Sequence, residues 1–162
     1  GPVLALPHHA RPGQTVNPIR PVVQTVGYEG NLSHFGKWLN VLETECERRG
    51  WRFVLNPKEL ADLDIAVALR EATGYAPRHY KSNVKLANAQ GSGTPIICNR
   101  ECGYLETDNA AAYWADTHKE LRNAFDELTD FDIRMSASIV MRNATPTLES
   151  VAATYRAWLE SL

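Results

Sequence analysis

The sequence predicts an α/β protein: a Rossmann-like parallel sheet of five or six strands with helices on both faces. Three observations lead there. Five apolar, strand-like runs recur along the chain, and helical segments separate them. The third run, LDIAVAL at 63–69, has no polar residue after Asp64, as expected of a strand buried on both faces.

The elements follow in order. Val3 to Leu6 is a short apolar run, and His8 to Pro18 is rich in Pro, His and Gly and reads as a linker. VVQTVGYEG, 22–30, is a β-branched strand ending on two glycines. Phe35, Trp38, Leu39, Leu42 and Cys46 then repeat at helical spacing, with Gly50 where a C-terminal glycine belongs. The Phe35 and Trp38 rings read as core. WRFVL at 51–55 is the second strand, and Pro57 opens a short helix before the third. Residues 70–80 form a loop, 82–91 a helix, and 94–98 the fourth strand. GYLETD is a turn of helix and AAYWA, 111–115, the fifth strand. Thr117 with Glu120 makes a capping box for the next helix, and two more helices span 131–143 and 147–161. Residues 1–21 are expected to be a tag scar, hinge and linker, and 22–162 the folded domain. Gly1-Pro2 reads as the scar, which would make the chain an excised piece.

Composition narrows the function classes. The chain has 162 residues, 44% hydrophobic and 22% charged, with a net charge of −2. That balance suits one ordinary globular domain and gives no global support for nucleic-acid binding. No apolar run reaches the roughly 18 residues of a membrane span. Cys46, Cys98 and Cys102 make neither an even disulfide framework nor a zinc set, so they read as reduced thiols of a cytoplasmic protein.

In an open α/β sheet, ligands bind beyond the carboxyl ends of the strands. Four loops meet that edge: 27–31, 70–80, 99–105 and 116–117. The helix opening at Ser82 starts there too. Its first N–H groups lack intrahelical partners, and with the helix dipole they favour an anion. Ser82 can cap the helix or donate to a phosphate, Lys85 can fold back to the same point, and Lys81 and Arg70 lie in the connecting loop. The plainer alternatives stay open. Ser82 and Lys85 also suit a capped helix with a solvated lysine. Gly27 and Gly30 also suit a tight strand-to-helix turn. Arg78 reads as a surface charge and His8-His9 as linker.

VVQTVGYEGN, then KSNVKLANAQGSGTPIICNRECGYLE, then AAYWADTHKELRNAFDEL resembles the C-terminal, donor-binding domain of GT-B glycosyltransferases. The resemblance covers about residues 5–130 at the level of motifs: a strand ending G-x-x-G-N, a K-x-S-x-K-L-like segment, G-T-P-I-I and Y-L-E. The leading LALPHHARPGQTVNPIR resembles the hinge into that domain. The closing helix resembles the family's last helix, which often crosses back to the other domain. The resemblance implies that Gly30 and Asn31 lie near the donor phosphates or sugar. It implies that Ser82, Asn83 and Lys85 hold the diphosphate, with Lys81 beside them, and that Arg70 approaches a base or phosphate. Glu106 matches a ribose-binding carboxylate, with Glu101 its rival. Many retaining members carry two glutamates where this chain has Tyr80 and Asn88. The retaining label is therefore not carried over, and Asn88 stays with Glu106 only by position as a ribose or sugar contact.

The implied activity is transfer of a sugar from a nucleotide diphosphate sugar, a UDP-sugar among them, without a metal or other cofactor. The sequence has no Asp-x-Asp metal motif in a suitable loop. The acceptor and the general base would come from an N-terminal domain or partner that this chain lacks, so donor binding with little transfer is expected. The alternatives are a non-catalytic nucleotide- or nucleotide-sugar-binding module, a sugar-nucleotide epimerase of similar fold, and a scaffold domain. The nucleotide, sugar, acceptor and stereochemistry are not written in the sequence.

Overall fold

The computed structural model describes residues 3–4, 6–71, 82–107 and 111–162. Lys81, Tyr80 and Arg78 lie outside the described residues. Strands β1 (Thr25–Tyr28), β2 (Arg52–Leu55), β3 (Ile65–Ala68), β4 (Ile96–Cys98) and β5 (Tyr113–Trp114) form one parallel sheet in the order β2-β1-β3-β4-β5. The helices are α1 (Trp38–Arg49), α2 (Val84–Ser92), α3 (Cys102–Leu105), α4 (His118–Leu128), α5 (Phe131–Ala144) and α6 (Leu148–Glu160). This is the Rossmann-like α/β fold expected from the alternation of strands and helices.

Strand alternation builds two cores. Val26, Tyr28, Ile65, Val67, Leu69 and Ile97 face one side and meet Phe35, Trp38, Leu42 and Phe125, which brings α1 and α4 onto that face. Ala66, Ala68, Ile96 and Cys98 face the other side and meet Leu86, Ala89 and Met141 of α2 and α5. β3 is buried along its whole length, with large side chains on one face and alanines on the other. Each Val, Leu, Ile or Phe so buried contributes about 1.5–3 kcal/mol.

The N-terminal segment forms no strand among the described residues, and its last part is tied to the domain. Asn17 donates to Leu63 O (2.7 Å) and Thr94 Oγ1 (2.9 Å), and its own N–H reaches Ser92 O (2.7 Å). Ala10 packs on Gly91, where an added Cβ would sit 2.1 Å from the Ala10 Cβ; only a residue without a side chain allows that approach. α6 is different in kind, because none of its residues is buried and Leu148, Tyr155 and Leu159 are exposed along it. No helix of the described residues is long and apolar enough to cross a membrane.

One buried carboxylate links α1 to α4. Glu45 is 2% exposed and accepts from Arg48 (3.0 Å), Arg49, His118 Nε2 (2.8 Å) and Arg122 (3.3 Å). Burial pushes its carboxyl up, but the bonds from His118, Arg49 and Arg48 outweigh that and hold it at about 2. A depressed folded pKa gives stability that is complete above the ordinary value and is lost as pH falls toward the folded one. We therefore expect acid titration of stability to show a loss between about pH 4.5 and 2. Three of the donors, on Arg48, His118 and Arg122, are about half exposed and screened, so roughly 1–2 kcal/mol is involved. Glu45→Gln should flatten that part of the curve in urea unfolding followed against pH. An unchanged slope would count against the account.

Candidate functional site

The chain runs from β1 to β2 on one side and then returns past β1 to β3 on the other. The gap beyond the carboxyl ends of β1 and β3 is therefore the topological switch point, where doubly wound sheets bind ligands. The loop after β1, Arg70 after β3, the start of α2 and the segment 99–105 after β4 all arrive there.

The helix begins two residues later than the sequence suggests. Asn83, not Ser82, precedes the first turn, and its side chain makes no capping bond. Asn83 sits at φ −87°, ψ 16°, outside the extended region from which a cap side chain folds back onto the first N–H groups. Ser82 is exposed instead. Asn83 thus supplies no side-chain acceptor to the first turn of α2. Asn83 is 4% exposed and its Oδ1 has no hydrogen-bond partner.

Lys85 lies across from the loop after β1. Its Nζ is 5.2 Å from the centre of the Tyr28 ring. Gly30 has φ +143°, a conformation that side chains other than hydrogen rarely adopt, and a Cβ there would stand 3.2 Å from Lys85 Cε. Gly30 thus leaves room for the lysine. It does not offer a free N–H, because that group donates to Asn56 Oδ1 at 2.7 Å. The Asn31 carboxamide oxygen is occupied too, accepting from Ser33 N–H (2.9 Å) to cap the turn Leu32–His34.

Arg70 is held in place. Its Nε is 2.6 Å from Glu101 Oε1, it donates to Tyr104 Oη at 3.3 Å, and its side chain is 12% exposed. Its N–H donates to Asn99 Oδ1 (2.6 Å), while Asn99 Nδ2 donates to Ala115 O (2.7 Å), so Asn99 braces β3 against β5. Burial pushes the Tyr104 and Tyr28 phenols up, so both stay protonated at neutral pH. The arginine at this edge is therefore charge-balanced by a buried carboxylate.

The remaining candidates lie elsewhere. Asn88 is buried in α2 and its Oδ1 accepts from the Arg11 N–H (3.0 Å), while the Arg11 side chain pairs with Glu29 (2.7 Å). Glu106 stands exposed at the C-terminal end of α3, whereas Glu101 is inside the cluster with Arg70. Sequence reasoning singled out neither Asn56 nor Asn99. A signal for Asn56 was present: Asn before Pro after a strand marks a turn, and asparagine tolerates the left-handed region.

Fold and edge together define a Rossmann-like α/β protein whose switch point gathers a helix start, a lysine and a glycine loop. No family model matches the chain, and no curated protein matches it. Fifteen chains among solved structures do match. One, described as the glycotransferase of kitacinnamycin, aligns over 93% of this chain with 18% identity and a TM-score of 0.45. This chain spans about half, 47%, of that structure's length.

Proposed function

We propose that the chain is the donor-binding domain of a metal-independent glycosyltransferase of GT-B type, which holds the diphosphate of a nucleotide sugar at the start of α2. The observation that carries this reading is the start of α2, which Asn83 does not cap, with Lys85 set against Gly30 at the switch point. A diphosphate there would accept from N–H groups of the first turn and from Ser82, with Lys85 supplying charge and Lys81, the residue before Ser82 in sequence, a second cation. As the anomeric C–O bond breaks, negative charge grows on the leaving diphosphate. A fixed helix end and a lysine stabilise that charge without reorganising. Asn31 would border the sugar through its carboxamide N–H group, and Glu106 or Asn88 would serve the ribose or sugar. Arg70, paired with Glu101, would act through the shape of the Glu101–Tyr104 wall and not as a free charge. Residues 1–21 would enter from an acceptor-binding domain, and the exposed stripe of α6 would face that domain.

A thermal-shift series with UDP, GDP, ADP and CMP tests the reading. Binding to the native state raises the melting temperature by mass action, about 2.7 kcal/mol at a hundredfold excess over Kd. One diphosphate nucleotide should raise it and the monophosphate CMP should not. No shift with any nucleotide at millimolar concentration would overturn the proposal.

A further inference from the structure

We propose that Asn56 is a positioning residue for the anion site, clamping the glycine loop so that Lys85 can lie across it; the inference rests on the function proposed above. Asn56 is on the turn that leaves β2, 26 residues from the loop it holds. Its backbone has φ +48°, and Pro57 follows. A residue before proline is steered out of the right-handed helical region, and asparagine is among the few that accept the left-handed one. That conformation sends the two ends of Asn56 to the same place. Its N–H donates to Tyr28 O at 2.8 Å, extending the β1–β2 ladder by one rung. Its Oδ1 accepts from Gly30 N–H at 2.7 Å.

The two bonds bracket residues 28–30. They hold the Tyr28 ring under the Lys85 ammonium and set Gly30 against the Lys85 side chain. Asn56 itself is exposed and lies outside both hydrophobic cores, so its part is local. Without the clamp the loop gains freedom through Gly30, and binding an anion would first have to order it.

Two variants separate the carboxamide from the backbone. Asn56→Gly keeps the left-handed conformation and removes the acceptor; Asn56→Asp keeps an acceptor oxygen. Amide hydrogen exchange should show Gly30 exchanging roughly tenfold faster in Asn56→Gly and at the parent rate in Asn56→Asp. The amides of Val26 and Ile65 should stay protected in both, which shows that the sheet is intact. Calorimetric titration with inorganic pyrophosphate at fixed salt should give an affinity about three- to tenfold weaker in Asn56→Gly than in the parent. Unchanged Gly30 exchange in Asn56→Gly overturns the clamp. Released exchange with unchanged pyrophosphate affinity overturns its role in binding. A parent that binds neither pyrophosphate nor any nucleotide overturns the proposed function instead, and the exchange rates still decide whether Asn56 holds the loop.

Discussion

Arg134→Met should lower the stability of this protein by about 3–5 kcal/mol, the cost of leaving a few buried carbonyls without their donor at about 1–3 kcal/mol each. Arg134 is 1% exposed, and among the described residues its guanidinium donates to backbone carbonyls. Nη1 reaches the carbonyls of Leu128 (2.6 Å), Thr129 (2.8 Å) and Asp130 (3.3 Å), the last turn of α4 and its exit. Nη2 reaches Arg20 O (2.7 Å) and Pro21 O (3.1 Å), where the chain turns toward β1. Carbonyls at a helix end have no partner within the helix, so this side chain substitutes for a C-terminal cap and also fastens the domain entrance. Burial lowers its pKa from the usual arginine value, with the Asp64 and Asp130 charges opposing that. Methionine would fill much of the volume and take the side-chain donor from the carbonyls, of which Asp130 O keeps the backbone N–H of residue 134 (3.2 Å), at about 1–3 kcal/mol for each one left buried and unmet. For a chain of this size that corresponds to a melting temperature roughly 10 °C lower. Arg134→Lys should recover only part of the loss, because an ammonium is one point and the five acceptors lie on two sides. Urea unfolding measures both, and a Met variant within about 1 kcal/mol of the parent would sink the account.

Lys85→Ala should weaken diphosphate-nucleotide binding by roughly ten- to a hundredfold. A charge-assisted hydrogen bond contributes about 1.5–3 kcal/mol, and 1.4 kcal/mol is tenfold. The helix end contributes a further 0.3–1 kcal/mol, up to about 2 when partly buried, and survives in the variant, so binding should weaken without vanishing. The control must lie away from this edge. By sequence Lys37 sits on the outer part of a helix. In the structure it precedes the first turn of α1, at the same sheet edge, with its Nζ 5.9 Å from the Trp38 ring. Lys58 serves better, because it lines a groove that runs along β2 to Arg20, Arg52 and Asp64, which stand at the amino ends of the strands. Calorimetric titration of a diphosphate nucleotide into Lys85→Ala and Lys58→Ala decides the matter. Equal affinities in the two, with the parent binding, would place the anion elsewhere.

The sequence by itself determined the elements and their class. The unbroken apolar run IAVA, helical spacing from Phe35 to Cys46, and the Thr117–Glu120 capping box are all local patterns, and these elements form within a few residues of their expected bounds. Local physics carries that information, since periodicity and caps involve neighbours within a turn or a pleat. The edge at which a site would lie followed from the same alternation. The start of α2 lies two residues beyond the serine that looks like its cap, with Asn83, buried and at φ −87°, ψ 16°, in the preceding place.

Only the tertiary structure decided the partners. Glu101 neutralises Arg70 because β4 pairs with β3 and brings the segment after it alongside. Asn56 holds Gly30 because β2 pairs with β1 in a register that continues past both strands. Arg134 meets Arg20 O across 114 residues, a contact with no trace in the chain. A side chain's charge and length are written in the sequence. What neutralises it depends on which loops the sheet order brings together, and that order is fixed by burying two faces at once.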